Sequence, residues 1–150
     1  MPIRRQQILD AMITRFQAIL VSGGYRTNAG SHCSTWYHDP NTTYDESELP
    51  FINLRDMEDN MQPVSVNDRR MHTMDIEIHT AANGANNDSE TRKQIYDIYQ
   101  AIGVDPTWGA LAMDTFLVKD SISVEHAEKI IAEAVVTVQV RYFTTLWGDS

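Results

Sequence analysis

The sequence predicts an α+β fold, a mixed, mainly antiparallel β-sheet flanked by two main helices in a single domain spanning 1–150. Three observations lead there. Apolar residues recur at helical spacing in two separate stretches, near the start and at 89–102. Other stretches alternate with period two, most clearly at 72–80 and 130–145. Their order lacks the regular strand–helix alternation of a doubly wound parallel sheet. A length of 150 residues suits one hydrophobic core, and repeats and low-complexity tracts are absent.

In the first 22 residues Ile8, Met12, Phe16, Ile19 and Leu20 fall on one helical stripe, with Arg4, Arg5, Gln7, Arg15 and Gln17 mostly on other faces. Ser22-Gly23-Gly24 stops that helix. Residues 25–30 and 33–37 read as two short extended pieces around a turn at 28–31, hence a hairpin. The polar, turn-rich run 38–48 predicts an exposed loop, and 49–54 an apolar strand whose Pro50 suits its beginning or a sheet edge. Residues 55–70, with four acids and three arginines and little apolar periodicity, predict a second exposed loop.

From 72 to 80, Met74, Ile76 and Ile78 point one way and Asp75, Glu77 and His79 the other, the pattern of a half-buried strand. Asp88 or Ser89 can cap a helix over 89–102 that buries Ile95, Ile98, Tyr99 and Ile102 and ends at Gly103. A turn at 105–109 carries Trp108 and leads into a strand over 111–119, interrupted at 121–128. The last strand, 130–145, is dense in Val, Thr, Tyr and Phe; its even positions from Ala132 to Tyr142 form a core face and its odd positions a mixed one.

Twelve basic against 21 acidic side chains give a net charge of −9. That surplus opposes any broad electrostatic grip on phosphate backbones or anionic membranes. The lone Cys33 has no intramolecular disulfide partner, the first 16 residues lack the apolar run of a signal peptide, and no segment approaches the ~18 apolar residues of a membrane span. These features predict a soluble protein of a reducing compartment.

No catalytic motif assembles. Gly23-Gly24 end a helix, whereas a phosphate-binding loop needs glycines that open one. Cys33 between His32 and His38 could be a nucleophile beside a base, but the reading that stands ahead of it is a plain buried or half-buried cysteine. Asp75, Glu77 and His79, two apart on one strand face, could offer two carboxylates and an imidazole to a divalent cation; the competing reading is a solvated sheet face. The remaining histidines lack zinc-site spacing, and the acidic clusters at 45–48 and 56–59 lack apolar shelter to raise a carboxyl pKa. Trp36, Trp108 and Trp147 sit at turns or element ends, as core edge or as contacts with another subunit. The residues therefore indicate no catalytic group, no metal and no cofactor.

The second half carries a resemblance. The run from Arg92 to Gly103, then Asp105-Pro106-Thr107-Trp108-Gly109-Ala110-Leu111-Ala112, then Val138-Gln139-Val140-Arg141-Tyr142-Phe143-Thr144-Thr145, is similar to the tail terminator (minor tail protein U-like) family of long-tailed bacteriophages. The N-terminal helix followed by Gly23-Gly24-Tyr25-Arg26-Thr27-Asn28-Ala29-Gly30 resembles that family's opening. The resemblance implies a structural, non-enzymatic virion protein at the head-proximal end of the tail, assembled in the host cytoplasm. It implies a homo-hexameric ring that caps the tail tube, stops its polymerisation and offers a surface for head joining. The implied partners are its own copies, the tail tube protein and the head–tail connector protein, with DNA only as cargo passing through the lumen and no membrane. Trp108 and Trp147 are the candidate subunit or partner contacts. Two alternatives stand beside this reading: another head–tail or tail-completion component, and a divalent-metal hydrolase using Asp75, Glu77 and His79.

Overall fold

A computed structural model of the chain describes residues 3–36, 49–64, 68–83, 87–126 and 130–148. It contains two helices, α1 (Arg4–Gln17) and α2 (Asn87–Val104). Five strands, β1 (Cys33–Thr35), β2 (Phe51–Val64), β3 (Arg69–Asn83), β4 (Asp114–His126) and β5 (Ile130–Thr145), form one sheet in the order β1-β2-β3-β5-β4. β1 runs parallel to β2 and every other pair is antiparallel, so the sheet is mixed and mainly antiparallel.

Period-two alternation decides which face is core. On β3 and β5, Met74, Ile76, Ile78, Val136, Val138, Val140 and Tyr142 pack in one cluster with Ile8, Leu9, Met12 and Phe16 of α1 and Ile95, Ile98 and Ile102 of α2. Both helices therefore cover the same face, giving two layers. At roughly 25 cal/mol per Å² of apolar surface removed from water, this single cluster is the main source of stability. On the second face of β3, Met71, Thr73, Asp75, Glu77 and His79 are only half-buried.

Four local expectations are corrected. Of the hairpin expected over 25–37, the described residues 25–36 form none: two short 3₁₀ turns lead to β1, which pairs with β2 instead. The buried Asp97 carboxylate of α2 holds the chain there, accepting from the backbone N–H of Arg26 and of Thr27 and from the Thr27 hydroxyl at 2.8–3.1 Å. A side chain thus replaces the missing strand partner.

The stretch 55–70, expected as a connector, is mostly the far half of the β2–β3 hairpin, paired from Arg55↔Glu77 to Val64↔Arg69 with a bulge between Asp56 and Glu58. Here Met57, Glu58, Asn60, Met61, Gln62 and Pro63 are all exposed, so neither face needs apolar residues and the alternation that marks a strand is missing. The expected loop at 38–48 lies outside the described residues.

β4 starts at Asp114 and is not interrupted at 121–126. Its irregularity is a bulge between Leu117 and Lys119, which switches the alternating faces mid-strand and disguises the pattern. Finally, α2 runs through Gly103 to Val104 rather than ending at the glycine.

The turn between α2 and β4 is built by Asp105. One carboxylate oxygen accepts from the Thr107 N–H at 2.9 Å and from its hydroxyl, the other from the Gly109 N–H at 2.8 Å. This organises three successive residues of positive φ, Trp108 (55°), Gly109 (73°) and Ala110 (65°). The Thr107 hydroxyl in turn accepts from the Ala110 N–H at 3.2 Å. Hydrogen bonding to the charged form holds the Asp105 carboxyl below the usual carboxylate range, the Thr107 hydroxyl contributing most.

Candidate functional site

Asp75, Glu77 and His79 do lie in a row on the second face of β3, at the middle of the sheet. Glu77 stands between Arg55 of β2 and Thr137 of β5, and His79 opposite Asn53. His79 Nε2 is 3.6 Å from Glu77 Oε1. Burial and the neighbouring Arg55 charge push the His79 pKa down, against the opposing pull of Glu77, which favours the neutral imidazole. Strand spacing keeps the three side chains in line rather than converging, and among the described residues no three His, Cys, Asp or Glu side chains stand close enough to share a metal ion.

Cys33 is half-buried, and desolvation pushes its thiol up to about 12. A thiol held neutral at pH 7 is a poor nucleophile.

A second polar constellation is one the sequence gives no sign of. Asp59 Oδ2 lies 3.0 Å from His72 Nδ1, and His72 Nε2 lies 2.8 Å from Thr144 Oγ1. The Tyr142 hydroxyl also donates to Asp59 Oδ2, and the Tyr142 ring stacks on His72 with centroids 4.3 Å apart. Arg5 of α1 bonds Asp56 Oδ2 at 2.6 Å and reaches to 3.8 Å from Asp59. An ionised carboxylate only accepts, so Nδ1 of His72 carries a proton. The order carboxylate, imidazole, hydroxyl is that of a hydrolytic triad, but His72 and Thr144 are both buried, 5% and 3% exposed, and line neither the cleft beside Arg26 and Gln94 nor the one beside Arg4 and Phe143. An acyl group has no approach to Thr144 there. The network fastens the far half of the hairpin to β5 and to the start of α1. It was hidden because Asp59, His72, Tyr142 and Thr144 come together only through strand register.

The exposed apolar residues lie elsewhere. Among the described residues β4 is an edge strand with β5 as its one neighbour, and Phe116, Leu117 and Val118 are each about half exposed, with Met113 and Ile122 close behind. On the other side of the sheet β1 covers only Ile52 to Leu54, so from Met57 to Val64 β2 has no outer strand partner among the described residues; Met57 and Met61 are half exposed there. Among the described residues the sheet therefore has two unpaired edges of different sequence.

The two tryptophans expected as contacts part company. Trp108 is 1% exposed, edge-on to Phe16, with its indole N–H donating to the Thr115 hydroxyl at 2.8 Å. Its ring is enclosed by its own core, which favours the core reading of this residue over the contact reading. Trp147 is 90% exposed. Among the described residues no helix is long and apolar enough to cross a membrane. No family model matches the chain, and no curated protein matches it.

Proposed function

We propose that the protein is a structural subunit that acts by joining copies of itself edge to edge, closing a hexameric ring at the head-proximal end of a phage tail, where it stops tube growth and offers a face to the head connector. The observation that carries this reading is the β4 edge, a 13-residue strand that has no outer neighbour among the described residues and exposes Phe116, Leu117 and Val118. A second, unlike edge at 57–64 makes the natural contact head-to-tail, and a repeated head-to-tail contact gives a ring when its rotation closes. The ring number, the tube and the connector come from the family resemblance. Backbone pairing across such a contact supplies affinity, while the exposed apolar side chains supply buried area.

A net charge of −9 per subunit puts about −54 on six copies, enough self-repulsion for assembly to strengthen with salt or magnesium. Electron microscopy and sedimentation of the purified protein, alone and with tail tubes in magnesium, test the reading. Rings of six are expected, free or on tube ends. Val118→Lys should abolish them while moving monomer stability by no more than about 0.5 kcal/mol, as is usual for surface positions. Protein that stays monomeric with and without tubes, or tails that stop at their proper length in virions lacking it, sinks the proposal.

A further inference from the structure

We propose that the cleft between the start of α1, the 110–113 segment and the end of β5 is a binding site for an apolar carboxylate, an inference that stands apart from the ring reading. The cleft measures about 280 Å³ and is lined by Arg4, Arg69, Leu111, Met113 and Phe143, with Ala110 and Ala112 between them.

Its charge is unmatched. Arg5, Arg15, Arg92 and Arg141 each hold an aspartate within 4 Å, but neither Arg4 nor Arg69 has a carboxylate partner among the described residues. Arg4 Nε is buried with no acceptor, and the Arg69 guanidinium carbon sits 4.8 Å from the centroid of the Phe143 ring. Two guanidiniums with no carboxylate partner among the described residues run against the composition of a chain carrying nine surplus negative charges. α1 begins at Arg4 with no acidic residue in its own first turn and no side-chain cap, and the nearby Asp56 and Asp59 are engaged by Arg5.

Shape and lining choose among anions. A water occupies about 30 Å³ of the liquid, so the cleft has room for about nine such volumes, more than a lone inorganic anion fills. Leu111, Met113 and Phe143 make a smaller, apolar part of a wall that is otherwise polar, and guanidiniums bind carboxylates in a planar, two-point fashion. The matching chemistry is a carboxylate on an apolar body, carried by a small organic acid or by an acidic residue flanked by apolar ones in a peptide.

The test is an NMR titration of the full chain at low ionic strength with four probes: phenylacetate, a blocked Leu-Glu-Leu peptide, phenylacetamide and inorganic phosphate. Saturable shifts at the amides of 110–113 and at Phe143 are expected with phenylacetate, with the peptide, or with both, and whichever binds tighter identifies the source. The neutral amide should give none. Arg69→Ala and Arg4→Gln should each weaken binding roughly tenfold, the loss of one charge-assisted contact, with unchanged melting temperatures confirming the fold. Phosphate binding as tightly as phenylacetate, equal binding of the amide, or no saturable shift overturns the proposal, and the comparison of phenylacetate with its amide on the unmodified protein needs no variant.

Discussion

The guanidinium carbon of Arg15 stands 4.3 Å from the centroid of the Trp108 ring, and the same arginine donates to the Asp105 carbonyl. One α1 side chain thereby clamps the left-handed turn that follows α2 and covers the ring that the turn delivers into the core. A cation over an indole contributes about 0.5–2 kcal/mol depending on desolvation, so most of the value of this site is the burial of the ring itself.

Trp108→Ala should therefore cost about 3–5 kcal/mol, the range for removing a buried large aromatic, and Trp108→Phe clearly less. Urea denaturation measures both. An alanine variant of near-native stability that only fails to assemble would restore Trp108 to the role of a contact residue.

Asp105 should make the turn sensitive to acid. Its carboxyl is held below the ordinary value of about 3.9 by bonds to the charged form, so its contribution is complete above that value and is lost as pH falls through the depressed one. Asp105→Ala should lower Tm at neutral pH, and the gap from the unmodified protein should narrow toward pH 2–3. Thermal melts across that range check it; a gap independent of pH counts against the assignment.

At the opposite end of the scale, burial and the bond to Asp59 raise the Tyr142 hydroxyl far above the ordinary phenol value of about 10, with Arg5 and Arg70 pulling the other way. The folded state keeps the proton where the unfolded chain loses it. Stability from this group is full below about pH 10 and declines as pH rises toward the raised value. Tyr142→Phe should cost about 1.5–3 kcal/mol at pH 7, as for a hydrogen bond to a charged group, and flatten the alkaline decline, measured as ΔG of unfolding from pH 8 to 11.

Gly30 passes close under the end of α1, its N–H donating to the Ile19 carbonyl at 2.9 Å. A Cβ added there would lie 2.2 Å from the Phe16 carbonyl oxygen, a contact that backbone must move to relieve. Gly30→Ala should cost at least about 1–3 kcal/mol, the range for overpacking, read from chemical denaturation. By contrast Gly103→Ala, where a Cβ would meet nothing within 4 Å and the position is helical, should be neutral or stabilising.

What the sequence made legible follows the apolar pattern. The stripes Ile8–Met12–Phe16 and Ile95–Ile98–Ile102, and the alternation through Met74, Ile76 and Ile78 and through Val136, Val138 and Val140, all mark faces that meet in one core. Where no core is touched the signal fails: the exposed far hairpin carries its strand identity in backbone bonds alone. Long-range polar contacts leave no local mark either. Nothing near Asp97 announces that it holds Arg26 and Thr27, and nothing near His72 points to Asp59 and Thr144. Single aromatics are equally silent, since Trp108 and Trp147 look alike in sequence and end at opposite extremes of exposure.

The strand order β1-β2-β3-β5-β4 has a consequence for how the chain is made. β5, the last of these five strands in chain order, is inserted between two that are synthesised before it. Until β5 has emerged, β3 keeps one flank bare and β4 has nothing to lie against, so the nascent polypeptide carries a sheet split between β3 and β4.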